Sequence, residues 1–245
     1  MRPFLARWEE LPEALRIPEV RPYWEALNSR YGQLAAKRFF DFAGSLGLLV
    51  VLAPAMGVAA VAIKLDSRGS AMYRQERVTQ YGKHFLIHKF RTMVDGADRI
   101  GSLVTAGGDA RITRVGAVLR RYRIDEFPQL IDILAGEMSF VGTRPEVPKY
   151  VNSYAPEMMA TLLLPAGITS EASIRFKDED ALLAGVGDVD TAYVASVLPK
   201  KMRWNLESLR EFSFLGELST MLRTVSAVLD RENVETESSE MGQNV

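Results

Sequence analysis

The sequence contains no cysteine, which excludes disulfides and thiolate metal sites. It has only two histidines, His84 and His88, too few for a multi-histidine metal centre. Any metal would be a hard ion held by carboxylate and phosphate oxygens. Neither sign of charge dominates, with 30 Lys and Arg against 31 Asp and Glu. No internal repeat is visible, and the first residues lack the apolar core of a signal peptide. What remains is a chain of 245 residues, enough for one domain with a sizeable core and short appendages.

The balanced charge hides an uneven layout. Between Lys64 and Arg123 about thirteen basic residues face about five acidic ones, while the chain from Asn205 onward carries a net acidic excess. A basic middle calls for an anionic partner such as phosphate, lipid headgroup or nucleic acid. The absence of any nucleic-acid-binding module argues against the last.

One run is strongly apolar. Ala43 to Ile63 carries no charge and is long enough, as a straight helix, to span roughly 30 Å. Pro54 lies at its middle, where it removes a backbone donor and disfavours helical geometry at Ala53. Lys37 and Arg38 flank one end, and Lys64, Arg68, Arg74 and Arg77 the other. Basic flanks on both sides place both ends in the cytoplasm. The reading that satisfies both facts is a re-entrant helix-hairpin broken at Pro54, each arm about one leaflet deep, or roughly 15 Å. The expected organisation is an N-terminal extension (1–36), a re-entrant membrane helix (37–66), a cytosolic domain (67–229) and an acidic, disordered tail (230–245). Tyr23 and Trp24 are candidates for a membrane interface.

The fold class expected beyond the apolar run is mainly α with a few short strands. Phe85–Phe90 reads as extended. Arg114–Tyr122 has helical spacing, Phe127–Leu134 reads as a short helix stopped by Gly136, and Glu157–Leu164 as another ended by Pro165. Thr191–Leu209 and Phe214–Leu229 have amphipathic patterns, and the second could lie on a membrane surface.

The segment most suggestive of chemistry is Arg120-Arg-Tyr-Arg-Ile-Asp-Glu-Phe-Pro-Gln-Leu130. Asp125 and Glu126 follow three arginines and precede a helix whose first turn suits Pro128. Cations gather where a polyphosphate would dock. One carboxylate could attack phosphorus and the other hold Mg²⁺. In isolation, Asp-Glu at a helix start is also ordinary capping. A second cluster, Gly136-Glu-Met-Ser-Phe-Val-Gly-Thr-Arg-Pro-Glu146, presents Arg144 from a turn stiffened by Pro145, a geometry that suits bidentate phosphate binding. A third, Lys89-Phe-Arg-Thr-Met93, puts Lys89 and Arg91 on one face if extended. A fourth, Pro165-Ala-Gly-Ile-Thr-Ser170, is followed by Arg175 and Lys177.

Each segment is weak alone, but their order is specific. From about Lys37 to Leu229 the chain resembles the monotopic phosphoglycosyl transferases, the bacterial sugar transferases. The resemblance is carried by KRFFDF before the apolar run, the central Pro54, YRQERVTQYGKHFLIHKFRTM, DARITRVGAVLRRYRIDEFPQL, GEMSFVGTRPEVP and PAGITSEAS. It implies a protein of the bacterial inner membrane, on its cytoplasmic face, that moves sugar-1-phosphate from a UDP-sugar to undecaprenyl phosphate. Asp125 matches the nucleophile, Glu126 its Mg²⁺-associated neighbour, and Arg120, Arg144, Lys89 and Arg91 the phosphate-side cations. Two departures stand out. Thr143-Arg144-Pro145 replaces Pro-Arg-Pro, and Ser170-Glu171-Ala172-Ser173 replaces the usual continuation after Thr169, leaving Arg175 and Lys177 as alternatives for a further phosphate ligand. The sugar, the glycan pathway and the oligomeric state, a homodimer included, stay open. The competing reading is a catalytically idle membrane adaptor that binds anionic lipid.

Overall fold

The computed structural model describes residues 4–97, 109–176 and 188–227. The chain begins with two 3₁₀ turns, Trp8–Glu10 and Glu13–Leu15, and helix α1, Arg21–Ser29. Leu5, Leu11, Leu15, Val20, Tyr23 and Leu27 are all buried and share one apolar cluster with Leu162, Leu163, Leu206 and Leu209. The N-terminal stretch is therefore built into the main core. Tyr23 and Trp24 serve that core instead of a membrane interface. The Tyr23 hydroxyl donates to Glu157 Oε1 at 2.5 Å, and the Trp24 indole to the carbonyl of Ala6 at 3.0 Å. An aromatic body with one polar handle satisfied is how such side chains tolerate burial.

Helix α2, Tyr31–Asp66, contains the whole apolar run and continues through Pro54 as one element. The break into two elements expected at Pro54 is not seen. Proline removes one donor, but opening the chain there would leave several backbone groups unpaired among apolar side chains, a larger loss. Residues Leu34, Lys37, Asp41, Ser45, Ala59 and Ile63 are buried, while Leu49 and Leu52 pack against one cluster and Met56 against the next. This spacing of three and four is one helical face, laid along the domain. The opposite face exposes Phe42, Leu46, Val50, Val51, Val58 and Val61, which is what an apolar solvent on that side would require.

Strands β1, Met72–Val78, and β2, His84–Phe90, form an antiparallel hairpin. Phe85 and Ile87 pack with Leu130, Ile133 and Met138 under the first half of α2, and Phe90 packs with Leu119 under its second half. Helix α3, Arg114–Arg121, is capped by Thr113, whose side chain accepts from Gly116 N. Gly116 is required here, since a Cβ would lie 2.0 Å from the carbonyl oxygen of Thr92. Helix α4, Gln129–Ala135, ends at Gly136 with φ 90°, a left-handed stop that favours glycine.

Strand β3, Met138–Val141, pairs in parallel with β4, Ala166–Thr169. Gly142, just after β3, and Gly167, within β4, touch so closely that a Cβ on Gly167 would meet Gly142 N at 2.1 Å. Helices α5, Pro148–Val151, and α6, Glu171–Arg175, are short. A 3₁₀ segment, Pro156–Leu163, stands where a helix was expected. The long amphipathic stretch near the end runs Val189–Ala192, a π-turn at Tyr193–Val197, and Leu198–Arg210. A last helix covers residues 214–227. The architecture is thus mainly helical with four short strands among the described residues, as the sequence implies.

Candidate active site

The site is assembled where the end of α3, the start of α4, β2 and the loop after β3 converge. Arg123 adopts φ 56°, and a 3₁₀ turn, Ile124–Glu126, follows. That left-handed residue reverses the chain, so both carboxylates enter the protein instead of continuing on the exposed side of α3. Asp125 is 8% exposed and Glu126 7%.

The two neighbours have opposite environments. Glu126 Oε1 accepts from the Arg144 guanidinium at 2.6 Å and from Lys89 Nζ at 3.4 Å, and lies 3.6 Å from Arg123. Burial alone would raise its pKa, but Arg144, Lys89 and Arg123 together hold the carboxyl well below the usual range. Asp125 Oδ1, by contrast, is buried with no hydrogen-bond partner among the described residues. Burial and then the charge of Glu126 raise its pKa, while Lys89, Arg123 and Arg120 pull it back down. A carboxylate oxygen without hydrogen bonds can serve as a nucleophile or a cation ligand, since little hydrogen bonding need be broken before it engages a substrate.

Lys89 is itself perturbed. Burial brings its pKa down to about 8, Glu126 raises it, and Arg144 and Arg77 lower it. For Arg144 the adjacent Glu126 carboxylate dominates and pushes its pKa further up. These opposed shifts mark a tightly coupled charge cluster.

Of the cations singled out in the sequence, Lys89 and Arg144 contact Glu126 directly, and Arg120 acts on Asp125 through its charge. Arg91 is placed elsewhere. Strand β2 ends at Phe90, so the strand alternation expected to align Lys89 with Arg91 lapses. The Arg91 guanidinium donates to the carbonyls of Ser67 and Arg68, and its NH2 reaches Ser67 Oγ at 3.0 Å. It ties the exit of α2 to the hairpin. Arg175 stacks on Trp204, 3.8 Å from the ring centroid, and lies 3.8 Å from Glu171. Lys177 lies outside the described residues.

Two cations of the cluster escape a reading by motif. Arg123 stands two residues before Asp125, but only its left-handed backbone turns it toward Glu126. Arg77 lies on β1, where Arg77 pairs with Phe85 and Tyr73 with Lys89. Alternation puts Arg77 and Lys89 on one face of the hairpin. Arg77 donates to the carbonyl of Pro145 at 3.0 Å, bracing the turn that presents Arg144. The hairpin's period-two pattern is the only trace of this in the sequence.

Comparison with known proteins decides the family. The family model described as "Bacterial sugar transferase" matches residues 32–231. The chain belongs to the bacterial sugar transferase family. Among relatives of this sugar transferase is a UDP-glucose:undecaprenyl-phosphate glucose-1-phosphate transferase of Caulobacter vibrioides. It is 34% identical over 200 residues, covering 80% of this chain and 71% of that protein. An undecaprenyl-phosphate glucose phosphotransferase of Komagataeibacter xylinus is 38% identical over 172 residues, which span 66% of this chain but only 31% of that protein. A putative undecaprenyl-phosphate N-acetylgalactosaminyl 1-phosphate transferase of Bacillus subtilis is 41% identical over 131 residues, 54% of this chain and 72% of that one. The named sugars differ among these relatives. Helix α2, with a mean hydropathy of 2.5 over its most apolar window, agrees with a membrane-associated transferase.

Proposed function

We propose that this sugar transferase moves sugar-1-phosphate from a UDP-sugar to undecaprenyl phosphate through a covalent intermediate on Asp125, at the cytoplasmic face of the inner membrane. The observation that carries the reading is the contrast within one dipeptide. Glu126 is held by three cations, and Asp125 Oδ1 is buried without a partner.

In the first step Asp125 Oδ1 attacks the β-phosphorus of the donor. A bond forms between that oxygen and phosphorus. The bond from phosphorus to the bridging oxygen breaks, and UMP departs with the electron pair. In the second step an oxygen of undecaprenyl phosphate attacks the same phosphorus. The acyl-phosphate bond breaks, the carboxylate is regenerated, and the product is undecaprenyl-diphospho-sugar. Splitting one transfer between two bulky anions into two displacements is the use of a covalent nucleophile. Lys89, Arg123 and Arg144 supply fixed positive charge where the diphosphate gains negative charge.

The donor set also fits Mg²⁺. Glu126 meets its three cations through Oε1, which leaves its other oxygen as a hard donor while Asp125 Oδ1 is kept for the attack. No group of three or more metal-ligating side chains occurs among the described residues, so the remaining ligands would be substrate phosphates and water, as Mg²⁺ accepts. Bound there, Mg²⁺ would offset diphosphate charge.

Membrane attachment follows the same logic. Near its start α2 is fixed to the domain by Lys37, which donates to the carbonyl of Val141 at 2.8 Å, and by Asp41, which accepts from Ser139 and from Phe140 N. At its end Asp66 accepts from Val115 N at 3.0 Å. Two ends tied to one domain support a monotopic α2 with both ends on one side of the bilayer, which we take to be that of the cytoplasmic leaflet. The exposed Leu215, Leu222 and Val225 of the 214–227 helix extend that apolar surface. The acceptor's phosphate at headgroup depth then meets the site without its prenyl chain entering water.

The deciding experiment measures UMP release from a panel of UDP-sugars with undecaprenyl phosphate and Mg²⁺, followed by mass spectrometry of the protein quenched during turnover. A sugar-phosphate adduct on Asp125 is expected. Turnover with no such adduct, or full activity in Asp125→Asn, overturns the mechanism.

A further inference from the structure

Beside the loop that carries Arg144 lies a cavity of about 280 Å³ that contains neither Asp125 nor Glu126. Gly142 and Thr143 form one wall, and the helices covering Leu198–Arg210 and 214–227 form the others. At about 30 Å³ per water, the space holds roughly nine waters. That is room for one six-membered sugar ring and too little for a nucleotide diphospho-sugar.

Its charged lining is mostly acidic, with Glu171, Glu211 and Glu217 against Arg223. Arg223 donates twice to Glu171, the NH2 contact being 3.1 Å, and Glu217 accepts from Lys37. The one basic side chain of the lining, Arg223, is already paired with Glu171, and bringing a phosphate beside Glu171, Glu211 and Glu217 is repulsive. The neutral lining is different. Ser170, Ser208, Ser213 and Thr220 bring hydroxyls, while Val141, Leu209 and Phe212 bring apolar surface. Alternating hydroxyl edges and C–H faces are what a saccharide ring presents, and such a mixed wall recognises it.

Asn205 supplies the second indication. It is 6% exposed, yet its side chain makes a single contact among the described residues, 3.8 Å to the Met202 sulfur, and sulfur is a weak acceptor. Its amide oxygen takes no hydrogen bond among the described residues, yet it is not one of the fully buried unpartnered atoms, so it is free to accept from a molecule in the cavity that Asn205 lines.

We infer that this cavity is a saccharide subsite, in which the amide of Asn205 and the surrounding hydroxyls bind the ring of a neutral sugar. The reading proposed above makes the donor's own sugar the first candidate. Thr143 walls the cavity, and the next residue, Arg144, donates to Glu126. A free saccharide is the other source of the same chemistry. The variable sugar named among the relatives would then be discriminated here, apart from the phosphate machinery.

The test fills the cavity from its mouth. Ser208 and Ser219 line it and are exposed, so Ser208→Phe and Ser219→Trp leave the core intact, which thermal melting verifies; Asn205→Leu removes the amide. Three readouts are taken on the full chain in detergent: KM for the preferred UDP-sugar, the inhibition constant of UMP, and saturation-transfer NMR of free monosaccharides. A rise in KM of about tenfold or more with UMP inhibition unchanged supports the donor's sugar as occupant. Loss of the monosaccharide signal with KM unchanged supports a separate saccharide site. All readouts unchanged, or UMP inhibition weakened in parallel with KM, overturns the proposal. A wild-type chain without UMP release would sink the proposed reaction yet leave the monosaccharide arm to decide on the cavity.

Discussion

Arg144 donates to Glu126 at 2.6 Å across 18 residues of chain, and this contact joins the loop after β3 to the turn that carries Asp125. Arg144 is one-third exposed at its side chain while Glu126 is buried, so the arginine faces both the carboxylate and the space where phosphates would arrive. On the proposed mechanism, removing it strips a transition-state cation, and it leaves a buried carboxylate underpaired. Arg144→Ala should lower kcat/KM by about 10² to 10³. Arg144→Lys should recover part of that and no more, because an ammonium cannot present two parallel donors. Steady-state UMP release checks both, and equal activity of the lysine variant and wild type would contradict the bidentate role.

Asp125→Asn separates chemistry from stability. The native carboxylate is buried beside another carboxylate and leaves one oxygen unbonded, an arrangement that costs stability. The amide keeps the shape and removes the like charge. Turnover should fall by on the order of 10⁴-fold or more, while the melting temperature stays level or rises. A variant that melts well below wild type would show that Asp125 holds the fold together instead of performing the reaction.

Asp125, Glu126, Arg144 and Lys89, which the structure brings together, could be picked out in the sequence because each sits in a short, locally ordered block. The helices at 114–121 and 198–210 were legible because their apolar spacing spans at least two turns, and the one at 129–135 because Pro128 and Gly136 bracket it. What escaped reading depends on pairing at a distance. Strands β3 and β4 have four residues each, too few to show alternation, and their partnership links residues 28 positions apart. Arg77 joins the site only through the hairpin register, and Arg123 only through a backbone angle that its side chain does not announce. Arg91 shows the converse: correct alternation was projected one residue past the end of a strand. The continuity of α2 through Pro54 is a tertiary effect, for the inner face of the helix is held by the domain along its length.

Glu217 gives a pH signature. Burial pushes its carboxyl up to about 7, with Lys37 pulling it down and Asp41 pushing it further up. The ordinary value is 4.5, so between these limits the folded protein binds the proton more tightly than the unfolded chain. Stability attributable to this group is therefore greatest below about pH 4.5, is lost as pH rises toward 7, and is level beyond. Glu217→Gln cannot titrate, so its melting temperature relative to wild type should climb across that window and plateau above it. Thermal unfolding in detergent at intervals from pH 4.5 to 8 measures the difference. A pH-independent difference would mean that Glu217 titrates normally and that its pairing with Lys37 is not buried in solution.

The placement of α2 makes a topological prediction that the lack of cysteine renders clean to test. A helix of 36 residues would measure roughly 54 Å if straight, ample for crossing a bilayer. Crossing would carry one end away from the domain and forfeit either the Asp41 contacts with Ser139 and Phe140 or the Asp66 contact with Val115, along with the packing of Ala59 and Ile63 on Phe90. These losses outweigh the modest gain from burying the helix ends in lipid, since each removes a hydrogen-bonded carboxylate, buried at Asp41 and partly buried at Asp66, or a packed apolar face. Ala36→Cys and Ser70→Cys, one at each end of the helix, should therefore both be protected from a membrane-impermeant maleimide added to intact cells and both be labelled in inverted vesicles. Labelling of either position in intact cells would show that the helix traverses the membrane, and the contacts that fold it against the domain would then have to be rebuilt.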